Sequence, residues 1–128
     1  MYNINVKVIR YFTVYGPLSR PDMAILKFLI QVNLNKHITV FGDGNQLRDF
    51  TYIDDAVNAT ILISSIANNK DRFSIFNVGS ENPVSLNTII RLLEKYSNRK
   101  IKINYTPRIL ADSIKTHSCS DKIKKACN

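Results

Sequence analysis

Residues 38–57 read ITVFGDGNQLRDFTYIDDAV, and the rest of the chain is understood from this stretch. Ile38–Phe41 is apolar, aromatic and β-branched, which predicts a short strand. Gly42-Asp43-Gly44-Asn45 predicts a tight turn, because glycine reaches positive φ without a Cβ clash. Gln46–Tyr52 predicts a second extended piece carrying Arg48 and Asp49, so that the two pieces form a hairpin around the glycines. Asp54 and Asp55 mark a helix start, where carboxylates complement the exposed N–H groups of the first turn. Val57, Ile61 and Ile66 then predict one apolar face. The chemistry-bearing residue is Arg48, an always-charged planar fork suited to phosphate or carboxylate. The bland alternative is a surface ion pair of Arg48 with Asp49 or Asp54.

Working outward, Val6–Val14 is nearly continuous apolar or aromatic sequence, the pattern of a parallel strand covered on both faces. Tyr15-Gly16-Pro17 ends it and opens a polar loop at a strand's carboxyl end, where open α/β sheets place ligands. Pro21 and Asp22 predict a helix start, and Ile25, Phe28, Leu29 and Val32 give its apolar stripe. Asn69–Asp71 predicts a loop and Phe73–Val78 a strand. Ser85 predicts an N-cap for a helix whose stripe is Leu86, Ile89, Ile90 and Leu93. Ile101, Ile103 and Tyr105 alternate with polar residues as a half-exposed strand. Pro107–Thr116 is a loop, and a short helix follows over Ser120–Ala126.

Composition narrows the function classes. The 128 residues are 45% hydrophobic and 22% charged, an ordinary globular balance. No apolar run is long enough to span a bilayer, and the N-terminal MYNINVKVIR has no signal-peptide layout, so a cytoplasmic location is expected. The net charge is +8, but the cations are dispersed and no aromatic-interleaved basic stripe occurs, which argues against nucleic acid. Cys119 and Cys127, with only His117 nearby, make no zinc framework; free thiols are expected and no metal. His37 reads as an exposed loop residue with no catalytic partner.

Three ordered blocks carry a family resemblance: RYFTVYGPLSRPDMA (10–24), FGDG with RDFTYIDD (41–55), and FNVGSENPVS (76–85). Together they resemble the extended short-chain dehydrogenase/reductase family, the NAD-dependent nucleotide-sugar epimerases and dehydratases. Thr13 and the Arg20-Pro21-Asp22-Met23 tetrad resemble UDP-glucuronate 4-epimerase-like members in particular. The implied fold is α/β: the C-terminal substrate-binding portion of an extended Rossmann-type epimerase, lacking most of the parallel dinucleotide-binding sheet. Residues 1–16 would be a remnant of that sheet and 17–128 the nucleotide-sugar-binding part.

The resemblance implies site residues one at a time. Tyr11 and Phe12 would lie near the nicotinamide of NAD. Thr13 would stand where many members use Asn against the diphosphate, with one hydroxyl donor in place of an amide. Asp22 and Met23 would border the sugar pocket, and Thr39 and Phe41 the base. Arg48 would grip the diphosphate. Arg108 and Asp112 fall in the family's Arg-x-Gly-Asp or Pro-Gly-Asp region, the Arg on diphosphate and the Asp on ribose or a loop contact. Here Ala111 replaces the Gly and Arg108 stands one residue further from the Asp.

Two family features do not occur. The four glycines, Gly16, Gly42, Gly44 and Gly79, form no G-x-x-G-x-x-G, so the NAD cradle is not encoded in this stretch. The catalytic Tyr-x-x-x-Lys spacing occurs once, Tyr96 to Lys100, at the end of a helix and far downstream of the family's dyad; it reads as coincidence, leaving no catalytic residue. Met1-Tyr2-Asn3 resembles the tail of the dyad helix. The expected function is therefore binding of a UDP-sugar by part of an NAD-dependent epimerase, inactive by itself, with a homodimer allowed in the intact enzyme. The alternative is a non-catalytic module for anionic ligands or a degenerate remnant.

Overall fold

In the computed structural model, which describes residues 4–66 and 72–127, every extended run of apolar sequence finds a partner strand. The strands are β1 (Val6–Tyr11), β2 (Thr13–Tyr15), β3 (Ile38–Phe41), β4 (Leu47–Arg48), β5 (Phe50–Tyr52), β6 (Phe73–Val78), β7 (Val84–Ser85) and β8 (Ile103–Thr106). The helices are α1 (Ala24–Asn33), α2 (Ile53–Ser65), α3 (Leu86–Ser97) and α4 (Asp121–Cys127). Among the described residues each strand pairs with one other: β1 with β6, β2 with β5 and β3 with β8 in parallel, and β4 with β7 antiparallel. The expectations for residues 1–3 and for the loop at 69–71 lie outside the described residues.

The chain forms two units. The first contains residues 4–16, 49–66, 72–82 and 117–127; the second contains residues 17–48 and 83–116.

In the first unit, β1 and β6 run in register from Val6↔Phe73 to Tyr11↔Val78. Ala56 and Ile63 of α2 pack with Phe76 and Val78 in its core, and Ile9 and Val14 join them. The expected strand over Val6–Val14 divides at Phe12. The Phe12 N–H donates to Val78 O (2.9 Å) and the Thr13 N–H to Asp49 O (3.0 Å), so the chain changes strand partner there. Coverage is also one-sided: Val6 and Val8, on the opposite face from Ile9, stay exposed. On α2 the inward face is Ala56 and Ile63, while Val57, Ile61 and Leu62 are exposed; this corrects the expected face at Val57 and Ile61, whereas Ile66, its third expected member, packs against the core.

In the second unit, β3 and β8 pair from Ile38↔Ile103 to Phe41↔Thr106. Ile38 and Val40 are its most buried strand side chains. The expected hairpin does not form: β3 pairs with β8 and β4 with β7, so the glycine turn joins strands of different pairs. Helix α1 begins at Ala24, three residues after the expected Pro21. Arg20 and Asp22 pair, and the Met23 N–H donates to Arg20 O (3.1 Å), which uses Pro21 in a turn ahead of the helix. Helix α3 starts as expected, with Ser85 Oγ accepting from the Thr88 N–H at 3.1 Å, and Asn98 ends it in left-handed geometry (φ 52°). Leu86 and Ile90 bury its inner stripe.

Candidate functional site

The parallel strands β3 and β8 end side by side at Phe41 and Thr106, and the loops that leave them carry the charged residues. A parallel pair directs both carboxyl ends to one side, the side where ligands meet α/β sheets. The Gly42 N–H donates to Thr106 O (2.8 Å), and Gln46 Nε2 donates to Phe41 O (2.8 Å), closing the first loop against the strand ends. The second loop, residues 107–116, turns where the Asp112 N–H donates to Ile109 O (3.0 Å). It is tied to β4 through Leu47 N–H to Ile114 O (2.9 Å) and Thr116 N–H to Leu47 O (3.1 Å).

This arrangement brings Arg48, Arg108 and Asp112 together. Arg48 Nη2 donates to Asp112 Oδ1 at 2.6 Å, and its Nη1 donates to Leu47 O at 2.8 Å. Arg108 Nη2 donates to the Asp112 main-chain oxygen at 2.7 Å. The Arg48 side chain is 15% exposed and that of Asp112 44%. The ion-pair alternative for Arg48 in the sequence, Asp49 or Asp54, is replaced by Asp112, 64 residues away. Such long-range pairs leave no trace in local spacing.

The glycine turn is fixed next to this cluster. The Asn87 side-chain amide donates to Asp43 O (3.0 Å) and Asn45 Oδ1 (3.0 Å), and the Asn87 N–H donates to Gly44 O (3.0 Å). The backbone and side-chain N–H groups of Asn45 hold the Asp43 carboxyl below the usual carboxylate range, and the Arg108 charge adds to that. Phe41 is exposed and Thr39 half-buried on β3. Asp22 is exposed and bound by Arg20, whose hydrogen bond lowers the Asp22 pKa, and Met23 stands half-buried at the N-cap of α1. No described polar contact joins Asp22 or Met23 to the arginine cluster.

Tyr11, Phe12 and Thr13 belong to the other unit, at the carboxyl end of β1. The Tyr11 hydroxyl is 2.6 Å from Thr60 Oγ1. Phe12 and Thr13 are half-buried, their N–H groups engaged by Val78 O and Asp49 O.

Asp49 is the residue that motif reading passed over. It is fully buried and accepts from Ser118 N (2.8 Å) and Oγ (2.6 Å), Ser80 N (2.8 Å) and Oγ (2.7 Å), and Glu81 N (3.2 Å). Burial pushes its carboxyl up, and the hydrogen bonds from Ser118 and Ser80 outweigh that and hold it below the usual value. A charged residue flanked by strand residues was the available signal. In the same unit Glu81, Cys119 and Asp121 place ligand-type atoms within 4.8 Å of one another. Glu81 is already taken by Lys124 and the Ser120 N–H, so the group reads as an ion-paired surface.

The described residues do not fit a dinucleotide cradle. Gly42-Asp43-Gly44 leads into β4 and not into a helix, and the close approach at Gly44 is made by the Asn87 side chain: a Cβ there would lie 2.2 Å from its Oδ1.

The sequence pattern of the NAD dependent epimerase/dehydratase family matches residues 1–79. The chain is 42% identical over 129 residues to a UDP-glucuronate 4-epimerase of Thermodesulfobacterium geofontis, an alignment of 100% of this chain and 39% of that protein. It is 31% identical over 140 residues to a probable UDP-glucuronate 4-epimerase of Rhizobium meliloti, covering 97% of this chain and 41% of the relative. Among solved structures it resembles the UDP-glucuronic acid 4-epimerase of Bacillus cereus in complex with UDP-glucuronic acid and NAD. There the TM-score is 0.84 at 36% identity, over 93% of this chain and 38% of the other. The α/β fold is thus that of part of an extended Rossmann-type epimerase, and the chain spans about two fifths of the length of the relatives it matches.

Proposed function

Because this chain belongs to the NAD dependent epimerase/dehydratase family, we propose that it is the portion of a UDP-sugar 4-epimerase that binds the sugar nucleotide, with UDP-glucuronate the favoured sugar nucleotide. The observation that carries this reading is the convergence of Arg48 and Arg108 on Asp112 at the carboxyl ends of β3 and β8. Planar guanidinium groups bind phosphate oxygens through paired N–H donors and keep their charge at any physiological pH. In this reading Arg48 and Arg108 hold the diphosphate, and Phe41 offers a ring face to the base with Thr39 beside it on β3. Asp22 and Met23 border the sugar. Tyr11 and Phe12 are the proposed neighbours of NAD.

Relatives in this family carry NAD alongside the UDP-sugar, as in the Bacillus cereus complex. The described residues form no cradle for it, so the chain's own task in this reading is to bind and orient substrate. By itself it is expected to show no epimerase turnover. The intact enzyme's cytoplasmic location and homodimeric state belong to the same proposal.

Isothermal titration of the 128-residue chain with UDP tests the assignment. The expected outcome is saturable binding that Arg48→Ala weakens by at least about thirtyfold, the scale of a lost charge-assisted hydrogen-bonding partner. Equal affinity of the wild type and Arg48→Ala would remove Arg48 from the site.

A further inference from the structure

We propose that the C-terminal half of α3 is a docking surface for the headgroups of an anionic lipid bilayer, which the chain meets from one side without crossing it. The surface uses none of the residues proposed to hold the sugar nucleotide. The net charge of +8 is shared unevenly. Residues 17–48 and 83–116 hold eleven Lys and Arg against four Asp and Glu, so the second unit carries nearly all of the surplus. Three of those acids are already matched: Asp22 by Arg20, Asp112 by Arg48, and Asp43 by the N–H groups of Asn45 with the Arg108 charge nearby. The fourth, Glu94, is the one acid among residues 91–102, where it stands with Arg91, Lys95, Arg99, Lys100 and Lys102. Its Oε1 accepts from the Ile101 N–H at 3.0 Å.

Charge by itself describes a solvated surface; the apolar side chains set among the cations select lipid. Helix α3 turns Leu86 and Ile90 inward. Its opposite face pairs Arg91 with Lys95 and Leu92 with Tyr96, each pair one helical turn apart. Tyr96 is 79% exposed and Leu92 43%, and Lys95 Nζ lies 5.6 Å from the Tyr96 ring centre. Arg99 Nη1 donates to Asn35 Oδ1 at 3.2 Å, so the end of α1, with exposed Leu34 and Lys36, is held beside the end of α3. Arg91, Lys95, Arg99 and Lys100 line an open depression of about 370 Å³ with Glu94 and Asn98, a seat for lipid phosphates. Headgroup phosphates attract the cations, while Tyr96 and Leu92 gain by entering the boundary beneath the headgroups, where amphipathic rings settle. A nucleic-acid backbone rewards the cations equally but offers Leu92 no apolar medium. Lys95 in the last turn also complements the helix carbonyls, a role that gives no response to lipid.

The sequence has no tryptophan, so Tyr96→Trp places a single reporter on the surface itself. The 128-residue chain carrying it is mixed with vesicles of phosphatidylcholine alone, or of phosphatidylcholine and phosphatidylglycerol in equal parts. A blue shift of emission is expected with the anionic vesicles only, and salt should reverse it by screening. In co-sedimentation with the anionic vesicles, Arg91→Gln/Lys95→Gln is expected to weaken partitioning at least about tenfold, the loss of two cations close to a lipid surface. Lys122→Gln/Lys125→Gln removes the same charge from the first unit and is expected to leave partitioning almost unchanged. All of these side chains are exposed, and circular dichroism checks that each variant is folded. Four results overturn the proposal. An unshifted reporter on anionic vesicles leaves the surface without lipid. An equal shift on phosphatidylcholine alone denies the cations their part. Equal losses in the two double variants reduce the effect to net charge. A DNA duplex bound as tightly as the anionic vesicles, and lost as far in Arg91→Gln/Lys95→Gln, makes nucleic acid the partner.

Discussion

Asp49 shows how much of this fold rests on single polar groups. Its buried carboxylate gathers donors from Ser80, Glu81 and Ser118, residues that chain distance leaves far apart. Replacing it by Asn keeps the shape but presents an amide N–H₂ to donors that need an acceptor, which strands buried N–H and O–H groups. Each such group costs about 1–3 kcal/mol, so Asp49→Asn is expected to destabilise by at least about 3 kcal/mol in urea titration. The pH dependence has a definite sign. The folded carboxyl titrates below its unfolded value of about 3.9. Its contribution is therefore complete above that value and is lost as pH falls through the lower folded-state value. Melting temperature measured from pH 6 downwards should drop in the acid range for the wild type and drop less for Asp49→Asn. Equal acid sensitivity of the two proteins would put the acid-labile group elsewhere.

At the scale of elements, the turn between β3 and β4 separates two glycines that look alike in sequence. Both have positive φ, 78° at Gly42 and 76° at Gly44. A Cβ at Gly42 would meet only ordinary contact with Arg108, whereas one at Gly44 would collide with the Asn87 side chain. Gly42→Ala should cost about 1–2 kcal/mol for left-handed backbone, and Gly44→Ala at least about 1 kcal/mol more, read as the difference in chemical-denaturation midpoints. Elements of this kind were legible where the signal is local. Ser85 as N-cap, the Leu86–Ile90 stripe and the strand at Phe73–Val78 follow from capping chemistry and periodicity. The hairpin was not legible, because Ile38–Phe41 chooses Ile103–Thr106 over its neighbour and periodicity carries no partner. The start of α1 moved because Arg20 and Asp22 pair ahead of it. The face of α2 is not legible from apolar spacing, since Ala56, a small residue, sits inward while Val57 and Ile61 point out. For the site, the motif pointed to Arg48 and Asp112 separately; their contact across the second unit is a product of the tertiary fold.

On the scale of the whole molecule, the first unit carries a sheet face that its own described helices leave bare. Paired strand positions share a face, so Val6 and Val8 of β1 stand with Phe73 of β6, all exposed, while Ile9 and Phe76 turn to the α2 side. Parallel sheets in α/β proteins are normally covered on both faces. Among the described residues the second edge of β1 has no strand partner, so open backbone groups adjoin the open apolar face. Exposed apolar edges of this kind template association. The 128-residue chain expressed by itself is therefore expected to self-associate with concentration in sedimentation velocity, despite a net charge of +8 that opposes it. Raising salt should strengthen association by screening that repulsion. Val6→Thr/Val8→Thr keeps β-branched side chains, and with them the strand preference, but adds hydroxyls to the bare face. It should lower the association constant severalfold and change the melting temperature little, because both positions are already partly exposed to water. If the variant associates as strongly as the wild type, the contact lies elsewhere, and the exposed face of α2 at Val57, Ile61 and Leu62 is then the surface to substitute.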